Sequence, residues 1–159
     1  MKIDLLLVLA VILASCSNNV ESLVLPKGFD LSKKKSVSGV LDEVDIFSVH
    51  VADSSLIDLQ GYPKNIEKDK ITLGWVDFNS IDPVERKRLV EEVENVNMSI
   101  NDPELARLVS ILKGSNSIRF SAHYTDRPTV KSTYKFYHDK FFLDFQNMEL
   151  FVFDFIEGS

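Results

Sequence analysis

The chain has 159 residues, 45% of them apolar and 26% charged, the balance of a folded globular protein and a length sufficient for one ordinary domain. A net charge of −6 and a pI near 5.0 leave no electrostatic footprint for a phosphate backbone. Nucleic acid is therefore a poor partner, and a cationic protein or peptide is favoured.

Met1-Lys2 gives a basic start, Leu5 to Leu13 is an unbroken apolar run, and the small residues Ala14 and Ser15 precede Cys16. That order predicts a secretory signal over 1–15, because the run is about half the ~20 apolar residues that span a bilayer. Leu13-Ala14-Ser15-Cys16 resembles the lipobox of bacterial lipoproteins. The resemblance implies cleavage before Cys16, a diacylglycerol on its sulfur and an acylated amino end, with stable anchoring by two or more chains. Ser17 resembles the outer-membrane choice, which implies the periplasmic face of that membrane. Cys16 is the only cysteine, so no internal disulfide is available and lipidation gives the thiol a use.

Residues 16–39 mix Ser-Asn-Asn, a short Leu23-Val24-Leu25 stopped by Pro26, and the run Lys33-Lys34-Lys35. They are expected to form a lipidated, flexible tether, with 40–159 as a single α+β domain. Within 40–52, Phe47, Val49 and Val51 alternate with Ser48 and His50, a half-buried strand. Leu56 to Leu59 forms a short strand or turn edge before the loop Gly61-Tyr62-Pro63. A second strand is expected over 71–78, with Ile71, Leu73 and Trp75 on one face and Gly74 marking a close approach or bulge.

Asp82-Pro83-Val84-Glu85 starts a helix: Asp82 caps, Pro83 takes the first position and Glu85 completes a box-like arrangement. Leu89, Val93, Val96 and Ile100 make its apolar stripe. A second start, Asn101-Asp102-Pro103-Glu104, opens a helix with Leu105, Leu108, Val109 and Leu112 inward and Gly114 as its stop. Two such stripes joined so closely belong together on one face of a sheet.

From Ser117 the period changes to two. Ile118, Phe120, Ala122 and Tyr124 alternate with Arg119, Ser121, His123 and Thr125, and Val130 to His138 continues after the turn Asp126-Arg127-Pro128. Phe141 to Phe145 and Glu149 to Ile156 close the meander as a hairpin. Leu150, Val152 and Ile156 alternate with Phe151, Phe153 and Phe155, so the last strand is central or covered on both faces. The whole predicts an antiparallel sheet of five to six strands with a two-helix unit, about 82–113, on one face.

Catalytic chemistry has no diagnostic motif. No glycine-rich phosphate loop or glycine-flanked serine elbow occurs, so no cofactor is implied. His50, His123 and His138 all fall in proposed strands and could meet with Asp139 or Asp53 around zinc, but they lack the paired spacings of zinc sites. Asn97-Met98-Ser99 matches a glycosylation acceptor and carries little weight in a bacterial context. The leading expectation is a membrane-tethered, non-enzymatic envelope protein that binds a protein or wall component, in its specific form an inhibitor or immunity protein. The alternatives are a periplasmic hydrolase of wall or lipid and a carrier of a small apolar ligand.

Overall fold

In the computed structural model, residues 25, 29–39, 42–51, 59–64, 69–114, 118–128 and 133–154 are described. Cys16, the apolar run before it, Asp53, Leu56, Phe155 and Ile156 lie outside them. Six antiparallel strands and two helices form an α+β fold: β1 (Phe29–Ser38), β2 (Glu43–Val51), β3 (Ile71–Asp77), α1 (Pro83–Ile100), α2 (Pro103–Lys113), β4 (Ile118–Pro128), β5 (Thr133–Asp144) and β6 (Glu149–Asp154). The order across the sheet is β1-β2-β6-β5-β4-β3. The chain thus builds a β1–β2 hairpin, crosses to the far edge, and returns as a meander that closes against β2.

β1 corrects the expected tether. Phe29–Ser38 pairs with β2 along its length, with one irregularity between Leu31 and Lys33. Three successive lysines read as a solvated run, yet two of them meet carboxylates of the fold. Lys34 Nζ lies 2.5 Å from Asp45, and Lys35 Nζ lies 2.9 Å from Asp102 and 2.6 Å from Glu104 at the start of α2. Leu31 and Val37 are buried on opposite faces of the sheet. Lysines on an edge strand also discourage pairing with another chain.

Both helices begin as their sequences dictate. Asp82 Oδ1 accepts from the amides of Val84 and Glu85 at 2.9 and 3.2 Å, and Asp102 Oδ1 accepts from Glu104 N at 2.9 Å. Glu85 does not complete a capping box; it is 2.6 Å from Arg88 instead. Asn101, in the left-handed region at φ 57°, turns the chain between the helices. Leu89, Val93 and Val96 of α1 and Leu105, Leu108 and Leu112 of α2 bury one shared face against Phe78, Phe120, Phe142, Phe151 and Phe153. Ring centroids there stand 5.1 to 6.0 Å apart, so interlocked aromatic rings fill the interlayer space.

The other face of the sheet is apolar too. Phe47, Val49, Phe141, Leu143, Leu150 and Val152 are buried there, and Leu25 and Leu59 pack on them. The two-sided pattern of β6 is explained by its place between β2 and β5. Two bulges shift the periodicity. The pairing of β3 slips between Leu73 and Val76, which puts Leu73 against the helix-side core and Trp75 on the opposite face beside Phe141, a correction to the single face expected for them. A second slip sets His123 opposite Asp139 and Tyr124 opposite Tyr137, so His138 is the extra residue of a continuous β5.

Candidate functional site

Two groups of polar residues stand out, one on each face. On the helix side, two adjoining open clefts of about 300 and 270 Å3 run along α1 and share Glu92 and Asn95. The first is walled by Arg88, Glu91, Lys135 and Tyr137, the second by Asp42, Glu43, Lys140 and Phe153. Lys140, its side chain only 5% exposed, has its ammonium 2.5 Å from Glu92, so its charge is cancelled within the seam. Arg88 is likewise engaged, at 2.6 Å by Glu85 and at 2.7 Å by the Lys135 carbonyl. Among the described residues Asp42, Glu43 and Glu91 set an acidic wall, met only by the long Lys87 contact at 3.7 Å to Glu91. Burial, with the nearby Glu85 charge, pushes the Tyr137 phenol far above its ordinary pKa and keeps it neutral.

On the opposite face, register places Thr72, His123 and Asp139 in one row across β3, β4 and β5. His123 and Asp139 are joined at 2.8 Å between Nδ1 and Oδ2, and Lys70 Nζ lies 3.8 Å from the same oxygen. Burial works to raise the Asp139 pKa, but the His123 hydrogen bond and the Lys70 charge outweigh it and hold the carboxyl below its ordinary value. An ionised carboxylate only accepts, so His123 Nδ1–H is the donor. The Phe141 ring packs edge-on against the imidazole at 5.5 Å. Ser121, on the same face of β4, donates to the Leu73 carbonyl at 2.6 Å and is committed to structure.

The three histidines do not converge. His50 is exposed on β2, with β6 and β5 between it and β4, about 14 Å of sheet. His138 Nε2 is 3.2 Å from Thr125 Oγ1, and its ring meets Phe136 at 5.1 Å. Among the described residues no three His, Cys, Asp or Glu side chains are grouped to hold a metal. Of the expected residues, only His123 and Asp139 are brought together. Thr72, Lys70, Glu92 and Lys140 were not singled out by pattern; cross-strand register is the signal that finds Thr72, and it becomes available only once the β3 bulge is fixed. No helix among the described residues is long and apolar enough to cross a membrane.

Comparison of the chain with protein-family models, curated proteins and solved structures returns no match.

Proposed function

We propose that this chain is a lipid-anchored protein of the bacterial envelope, held at the periplasmic face of the outer membrane through Cys16, whose α+β domain works by binding a basic protein or peptide. An inhibitor or immunity protein is the specific form of this reading. The observation that carries it is the seam along α1, where Lys140 and Arg88 are neutralised by Glu92 and Glu85, and where Asp42, Glu43 and Glu91, the last of them loosely paired with Lys87, outnumber the remaining lining cation, Lys135. Like charge repels anionic partners from such a wall and speeds the encounter with cationic ones. The anchor rests on Leu13-Ala14-Ser15-Cys16 and the lone thiol.

The test uses the full chain in detergent, titrated with a lysine-rich peptide and with a glutamate-rich peptide of equal length. The lysine-rich peptide is expected to bind with strong salt dependence, and Asp42→Lys with Glu43→Lys to weaken it at least tenfold. Equal binding by the charge-reversed variant would remove the seam from consideration. For the anchor, Cys16→Ala is expected to leave the domain folded and move it out of the membrane fraction; a variant that stays with the membrane argues against lipidation.

A second reading, a hydrolase of wall or lipid, is favoured by the oriented His123–Asp139 pair. Loss of wall- or lipid-cleaving activity in His123→Gln, with binding through the seam intact, would decide for it.

A further inference from the structure

The row across β3, β4 and β5 ends in two polar atoms that nothing satisfies. His123 Nε2 and Thr72 Oγ1 are both buried from solvent and have no hydrogen-bond partner among the described residues. They belong to directly paired residues, so their side chains rise from the same face of adjacent strands. Each orphaned buried polar atom costs about 1–3 kcal/mol. Two such atoms side by side would not persist in a stable sheet without a shared partner.

Their chemistry specifies that partner. Asp139 accepts from Nδ1–H, so Nε2 is the ring atom left to be satisfied, as a lone pair in the imidazole or as an N–H in the imidazolium. The Thr72 hydroxyl can donate or accept. A molecule that can both donate and accept completes Nε2 and exchanges a hydrogen bond with Oγ1, and water is the smallest that does so. The surroundings favour retention: the His123 side chain is 9% exposed, Phe141 closes one side of the imidazole, and Ser121 Oγ is engaged by Leu73 and does not compete.

We infer that Thr72 and His123 form a binding site for one hydroxylic molecule, a tightly held water hydrogen-bonded to His123 Nε2 and Thr72 Oγ1. The site is independent of the acidic seam and of the anchor. Asp139 is its positioning residue: it sets the tautomer and does not touch the water. Lys70, just before β3, and His138 of β5 are the other titratable groups that act on Asp139.

The test is the sign of a stability change together with a direct view of the water. In Thr72→Val the hydroxyl is replaced by a methyl of nearly the same shape with a good strand preference. An empty site gains from losing an orphan hydroxyl, and the melting temperature rises. An occupied one loses a partner of the water, and the melting temperature falls by roughly 3–6 °C. Thr72→Ser, which keeps the hydroxyl, is expected to retain more of the wild-type value than Thr72→Val does. In solution NMR, the His123 ring proton, assigned by its absence in His123→Gln, should show cross-relaxation with a long-lived water that disappears in Thr72→Val. A melting temperature that rises in Thr72→Val, or a wild-type His123 ring with no such water, would overturn the inference.

Discussion

Arg107 of α2 donates to the buried Asp144 carboxylate at the end of β5, Nη1 to Oδ2 at 3.0 Å, and this bond ties the helical layer to the β5–β6 turn. Asp144 is 2% exposed, and all its contacts are made. Oδ1 accepts the amides of Gln146 and Asn147 at 2.9 and 3.2 Å, while Oδ2 also accepts Asn147 Nδ2 at 2.7 Å. Arg107 continues to Glu149 and lies over the Phe151 ring. Asp144→Ala strands two turn amides and removes one of the two carboxylates on the guanidinium, so it is expected to cost about 3 kcal/mol. Asp144→Asn keeps the oxygen for the amides and should cost less. Denaturant unfolding of the two variants gives the ranking; equal losses would mean that the charge, and not the turn, dominates.

Leu31 supplies the test of β1. It is buried on the face away from the helices, with Phe47, Val49 and Leu25 in the same cluster. Leu31→Asp is expected to destabilise by roughly 2–4 kcal/mol, through lost burial and an unpaired charge. In a linker the same change would leave the unfolding midpoint where it was.

Acid should loosen the sheet at Asp139. Its carboxyl has a folded pKa below the unfolded value of 3.8, so the folded state binds fewer protons than the unfolded one as pH falls toward that range. The resulting stabilisation is fully present above the unfolded pKa and is lost as pH falls through the folded one. Asp139→Asn is expected to flatten the acid limb of the melting-temperature profile below about pH 4. A variant with the wild-type slope there would place the acid sensitivity elsewhere.

Two glycines are expected to respond oppositely to alanine. At Gly39 a Cβ would sit 2.7 Å from Ser99 Oγ and 3.1 Å from Ile100 Cγ1, pressing the β1–β2 turn onto the last turn of α1. At Gly74 the nearest atom is the Tyr62 carbonyl oxygen at 3.8 Å, an ordinary contact. Gly39→Ala should therefore lower the unfolding midpoint, whereas Gly74→Ala should hold it or raise it by about 0.4–1 kcal/mol through a stiffer unfolded chain. Thermal unfolding of both variants side by side is sufficient.

Periodicity carried the interior of this fold well and its exceptions poorly. The α1 stripe through Leu89, Val93 and Val96, and the two-sided alternation of Leu150–Phe153, read directly because burial on a helix face or between two layers demands those spacings. β1 was hidden because Lys34 and Lys35 are satisfied by Asp45, Asp102 and Glu104, partners that only folding brings near. Trp75 was placed on the wrong face because a bulge of one residue inverts everything after it; Gly74 announced the irregularity but not its direction. Asp139 beside His123 was legible as a pair of residue types. Thr72 was not, since its role depends on pairing across two strands.

Leu25 bears on how far the domain can stand from a bilayer. It is 3% exposed and packed with Leu31, Phe47 and Val49, so the sheet holds the chain at that residue. With lipid at Cys16 as proposed, the nine steps from Cys16 to Leu25 extend at most about 30 Å. A tether running to residue 39 would reach more than twice that. On the proposed function, the shorter leash would confine the search for a partner to a shell roughly one domain diameter deep, where a basic ligand would be met at the membrane surface and not in the middle of the periplasm.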